Sequence, residues 1–146
     1  MAPLIALTGG FLALRLLGLV GVEVLDGWQP ALRGGLALMF LLTGVTHFLP
    51  AWRRDFAAMI PPLFPEPHLL VAVTGVLELI GAAGLLFAPV ASLAAIGLAL
   101  LMVAMFPANV RAARLGLTLA GQPATPLLRR TALQVVFIAA AVAAAL

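Results

Sequence analysis

The chain has 146 residues, of which 64% are hydrophobic and 9% charged, with a mean hydropathy of +1.22. A soluble domain carries about a quarter charged residues; too few are present here to coat a globule in water, so lipid is the expected solvent and one membrane domain, residues 1–146, the expected organisation. The eight basic residues are all Arg and give a net charge of +3. They sit mostly at the ends of apolar runs, which reads as a topology signal rather than a nucleic-acid surface. Cysteine is absent, which excludes a disulfide, a thiolate nucleophile and a Cys-ligated metal or cluster.

A membrane-crossing helix needs about 20 mainly apolar residues. In chain order the sequence predicts five: Pro3–Leu25, Ala31–Leu49, Leu69–Ala88, Ser92–Ala108 and Leu127–Leu146. Backbone facing lipid must satisfy its own hydrogen bonds, so each run is expected to be α-helical and the fold an all-α polytopic bundle. The first run lacks a basic n-region and a small-residue cleavage site and reads as a retained helix. Between the second and third runs, residues 50–68 hold five prolines. They cannot form one regular helix, and an interfacial segment is expected, with Phe56–Ile60 lying in the interface or folding back under the bundle. Residues 115–126, with Gly116, Gly121, Pro123 and Pro126, read as a plain loop.

With five spans, Arg53, Arg54, Arg111, Arg114, Arg129 and Arg130 fall at one side. The positive-inside rule makes that side cytoplasmic, with the N-terminus inside and the C-terminus outside the cytoplasmic membrane. Trp28 and Trp52 fit interfacial belt positions. Gly18/Gly21, Gly34/Gly35 and Gly81/Gly84 allow close helix approach. The strings starting at Gly35 and Gly97 echo each other weakly, as a parallel repeat or as coincidence in a Leu/Ala-rich chain.

The informative residues are polar ones inside the spans. A carboxylate in lipid costs several kcal/mol unless paired, wetted or protonated, which makes Glu78 a functional-site hypothesis by default. Helical rise places Glu78 and Arg15 both near the midplane, so a bidentate ion pair is expected between them. His47, with Thr43 one turn away on the same face, lies toward the cytoplasmic end. Asn109, Gln134 and Arg130 fall in the same layer. The expectation is one polar cavity opening to the cytoplasm, with Glu78 and Arg15 at its floor. Each residue also has a plainer reading. Glu78 and Arg15 would be a structural ion pair, His47 a snorkelling or capping residue, Asn109 a helix terminator after Pro107, and Gln134 an interhelical hydrogen bond. Metal ligation fits poorly, because His47 and His68 lie on separate segments without ligand spacing. No P-loop, dinucleotide fingerprint or nucleophile–His–acid set is present.

The strings GVTHF at 44–48, MIPPLFP at 59–65, TGVLELIGAAGLL at 74–86 and MFPANVRAA at 105–113 together resemble the DoxX family of small membrane proteins, over about Arg33 to Gln134. The resemblance implies a four-helix core, here the second to fifth runs, with the first helix added. By position, His47, Glu78, Pro107 and Asn109 match that family's recurring polar and proline positions. It also implies a link to respiratory redox chemistry: a quinone-linked or accessory membrane subunit of an oxidoreductase, with a partner subunit and an accompanying quinone. The missing Cys departs from thiol-using relatives and argues against direct disulfide chemistry by this chain. The expected ligand set is His47, Glu78, Asn109, Gln134, Arg15, Thr43 and Arg130. A small-metabolite transporter and a ligand-free scaffold are the rival readings, and a homo-oligomer is compatible with each.

Overall fold

A computed structural model describes all residues, Met1–Leu146. Six helices make up most of the chain: α1 (Ala2–Leu19), α2 (Trp28–Thr46), α3 (Pro50–Met59), α4 (Pro67–Leu85), α5 (Ala91–Arg114) and α6 (Leu127–Ala145). Only 27 of 146 residues are buried. Large apolar side chains such as Leu12, Ile80, Leu93 and Leu100 point outward instead, as a bundle solvated by lipid requires. Half of the twelve residues in the main buried cluster are alanine, so the helices meet through small side chains rather than interlocked large ones.

Helices α2, α4, α5 and α6 form a closed ring, and α1 packs along the outside of α2. The α1–α2 contact is close because Gly10 and Gly35 meet: a Cβ on Gly10 would lie 3.1 Å from the Gly35 Cα. At the far end of the ring, the Arg33 Nε donates to the Ala144 carbonyl at 2.9 Å and Nη2 to the Ser92 hydroxyl at 3.4 Å. This ties the start of α2 to the end of α6 and the start of α5. A guanidinium at a helix C-terminus is also favoured by the helix dipole.

Four helices, α1, α4, α5 with its preceding turn, and α6, are each long and apolar enough to cross a membrane. Helix α2 reaches that standard only when joined to α3, from which it is bent by 91°. The all-α bundle is therefore as expected, with four or five helical segments long and apolar enough to cross a membrane.

Several boundaries differ from expectation. The first helix stops at Leu19 and a 3-10 turn, Glu23–Leu25, follows, because Gly21 at φ +110° breaks the helix. Helix α5 runs through Pro107 to Arg114. Its 24 residues span about 36 Å, which carries Arg111 and Arg114 past the apolar layer. Residues 118–123 are not a plain loop but a two-stranded hairpin, β1 (Thr118–Leu119) with β2 (Gln122–Pro123). Its turn residues Ala120 and Gly121 both have positive φ, the geometry that two-residue hairpins need. The Asp55 carboxylate accepts the Ala120 N–H at 2.7 Å, which fastens the hairpin to α3. Within the Pro-rich segment, Pro50 sits in the first turn of α3, where its missing N–H costs nothing. Helix α3 packs against α4 and α5 and crosses beneath the end of α2.

Candidate functional site

The α2–α4 crossing holds the two buried polar residues of the chain, His47 and Glu78. Its geometry comes from two glycines. A Cβ on Gly44 would lie 2.9 Å from the Leu79 Cδ2 and 3.3 Å from the Glu78 Cβ; one on Gly75 would lie 2.6 Å from the His47 Cβ. Gly44 thus faces Glu78 and His47 faces Gly75, in one antiparallel register. Each polar residue sits three positions after its own helix's glycine, so Gly-x-x-His fits against Gly-x-x-Glu. Both glycines stand in the strings that carry the family resemblance, GVTHF and TGVLELIGAAGLL, but close helix approach was expected at other pairs. The signal available was the matched three-residue spacing to His47 and Glu78.

Thr43 joins the two polar side chains. Its hydroxyl donates to the Glu78 Oε2 at 2.6 Å, and its carbonyl lies 3.0 Å from the His47 Nδ1. A carbonyl only accepts, so Nδ1 carries the proton in this arrangement and Nε2 is left as the free acceptor of the neutral ring. The Nδ1 to Glu78 Oε2 distance is 4.0 Å, within ion-pair range but beyond a hydrogen bond. The Phe56 ring of α3 lies 4.8 Å from the imidazole and covers it from the basic end. Pairing with Gly75 sets His47 about 12 Å from the start of α4, deeper than its place at the end of α2 implies.

Arg15 does not join this site. Its Nη1 pairs with the Asp26 carboxylate at 3.3 Å. With α1 ending at Leu19, Arg15 is about one turn from the helix end rather than at the midplane, and its long side chain reaches the loop. The expected Arg15–Glu78 ion pair is thereby replaced by Arg15–Asp26 and Thr43–Glu78.

Asn109, Gln134 and Arg130 form a second group, between α5 and α6. The Arg130 Nη1 donates to the Asn109 Oδ1 at 2.7 Å and Nε to the Thr125 carbonyl at 3.0 Å. The Asn109 Nδ2 approaches the Gln134 Oε1 at 3.4 Å, and the Gln134 amide donates to the Met102 carbonyl. Asn109 is helical and not a terminator, because α5 continues beyond it. Gly81 against Leu98 and Gly84 against Ala94 set the α4–α5 register. It carries Glu78 to the level of Leu101 and Met102, so Gln134 lies at the depth of Glu78 rather than below it. No hydrogen bond connects this group to Thr43, His47 or Glu78. Rather than one connected set, the hydrogen bonds divide these residues into two polar groups, one at the α2–α4 crossing and one between α5 and α6. Of the buried side-chain nitrogens and oxygens, only the Arg111 Nε lacks a partner.

A family model described as a domain of unknown function, DUF8561, matches residues 36–145. The chain belongs to that family. The matched stretch begins inside α2 and runs almost to the end of α6, so the DUF8561 region is the helical ring with α3 and the hairpin, and α1 lies outside it. Both polar centres fall within it. No curated protein and no solved structure matches the chain.

Proposed function

We propose that this is a DoxX-like protein of the cytoplasmic membrane, acting as a quinone-linked or accessory membrane subunit of an oxidoreductase, with Thr43, His47 and Glu78 as its polar ligand centre. The observation that carries the reading is the buried Glu78 carboxyl, held by the Thr43 hydroxyl at 2.6 Å and 4.0 Å from an imidazole, inside a bundle whose exterior is apolar. A carboxyl and an imidazole at this separation can hold hydrogen bonds to a quinone carbonyl and exchange protons with it. The His47 Nε2 is the acceptor not used within the chain. In this reading the six arginines at one end mark the cytoplasmic side, with the N-terminus inside and the C-terminus outside.

The test is purification with a short-chain ubiquinone. A quinone-dependent rise in thermal stability is expected for the natural chain and not for His47→Ala or Glu78→Ala. Protein that retains no quinone and shows no such rise refutes the proposal. A scaffold role is favoured by the same hydrogen bonds, since Thr43–Glu78 and Arg130–Asn109 each tie two helices. In that case His47→Ala lowers stability to the same extent with and without quinone.

A further inference from the structure

A recess opens at the basic end of the bundle, at the corner between α2 and α3. Phe48, Pro50, Arg53, Arg54 and His68 line this recess, of about 370 Å³. The two charge pairs within the chain are Arg15–Asp26 and His47–Glu78, so neither Arg53 nor Arg54 has an acidic partner. Of the nearby acids, Asp55 is engaged by the Ala120 N–H and Glu66 does not line the recess. Both arginines fall near the N-terminus of α3, whose first turn carries no acid, and His68 is the second residue of α4. Helix N-termini favour anions and disfavour cations. Placing two guanidinium groups and an imidazole there, unpaired, leaves a concentration of positive potential that an anion would relieve. Phe48 forms an apolar wall, and Leu49 and Leu69, the chain neighbours of the lining residues Phe48, Pro50 and His68, are exposed. Trp52, an interfacial residue type, lies in the same turn of α3.

We propose that this recess binds the phosphodiester headgroup of an anionic phospholipid, with Arg53 and Arg54 as its charge partners and His68 as a further hydrogen-bonding group. Guanidinium groups match phosphate oxygens in paired geometry. The exposed apolar side chains beside the recess give the acyl chains a surface to lie on, which a soluble anion would not use. Basic pockets between membrane helices are a known form of headgroup site. The inference is independent of the ligand proposed for Glu78.

The experiment is native mass spectrometry and thermal stability in detergent with added phosphatidylglycerol, phosphatidylcholine or inorganic phosphate. Phosphatidylglycerol is expected to be retained and to raise the melting temperature, while the other two do neither. Retention should fall roughly fivefold for Arg53→Gln or Arg54→Gln and about 25-fold for both. R53K/R54K should retain more than R53Q/R54Q, because the charge stays, but less than the natural chain, because the paired geometry is lost; Arg129→Gln, exposed at the same end but not lining the recess, should change nothing. Equal loss in Arg129→Gln would mean a diffuse attraction to the leaflet and overturn the site. An equal effect of inorganic phosphate would overturn the lipid assignment, and undiminished retention in R53Q/R54Q would overturn both.

Discussion

Gly75→Ala is the most direct perturbation of the α2–α4 crossing. The new methyl would lie 2.6 Å from the His47 Cβ, 3.1 Å from its Cγ and 3.0 Å from the Phe48 Cε2. Carbon atoms in contact prefer about 3.5–4.0 Å, so the overlap with His47 is about 1 Å. A Cβ is fixed to its backbone, so α2 itself has to move. Overpacking of this kind costs about 1–3 kcal/mol. The same displacement would stretch the 2.6 Å Thr43–Glu78 bond past hydrogen-bonding distance, which adds about 1–3 kcal/mol for a buried group left unpaired. A combined loss of about 2–6 kcal/mol is expected, by denaturant unfolding in mixed micelles. Gly97→Ala is the matched control, since nothing lies within 4 Å of its added Cβ. It should be neutral or gain up to about 1 kcal/mol from helix propensity. If Gly75→Ala is as benign as Gly97→Ala, the close crossing is refuted.

Thr43→Val removes the only side-chain donor to Glu78 and should cost about 1–3 kcal/mol. In the Glu78→Leu background the same change should cost much less, and a double-mutant cycle measures that difference. Arg130→Ala leaves the Asn109 Oδ1 without its 2.7 Å donor; about 1–2 kcal/mol of destabilisation is expected in the same unfolding assay. Arg15→Gln breaks an exposed ion pair and should shift stability by less than about 1 kcal/mol, which is how Arg15 is separated from a buried partner of Glu78. Asp55→Ala releases the Ala120 N–H, and hydrogen exchange at that amide should quicken while exchange in the spans does not change.

The all-α bundle was legible because backbone in lipid has few options, and a run of apolar residues near the required length is itself close to an assignment. Glu78, His47 and Thr43 were legible as an unusual set for the same reason: polar groups are costly there and stand out. Partner choice was not legible. Arg15 and Glu78 had similar depths only on the expectation that the first helix runs to Leu25. The break at Gly21 moves Arg15 outward by more than a turn, and no hydropathy average registers a single glycine at φ +110°. The depth of Asn109 depended likewise on whether Pro107 ends α5. The helix continues because only one backbone donor is lost there, whereas ending it would leave several carbonyls unpaired in lipid. The hairpin at 118–123 turns on Ala120 adopting positive φ, which Ala disfavours and which the contact to Asp55 supports from a distant part of the chain.

The two glycines explain why the polar centre is where it is. Thr43, His47 and Glu78 would have other rotamers available on helices at an ordinary separation of 8–10 Å. At a crossing where a Cβ on Gly75 would overlap the His47 Cβ and one on Gly44 would have to displace Leu79, the Thr43 hydroxyl has the Glu78 carboxyl directly in front of it. The imidazole is confined between the Gly75 backbone and the Phe56 ring. The His47 N–H bonds to the Gly44 carbonyl as α2 ends, so the Thr43 carbonyl accepts from side chains instead, the Thr46 hydroxyl and the His47 imidazole. The sharp turn into α3 is therefore part of the site. It exposes the carbonyl that orients the histidine and brings the phenyl ring that covers it. A longer α2 would keep that carbonyl for its own helix and carry Phe56 away.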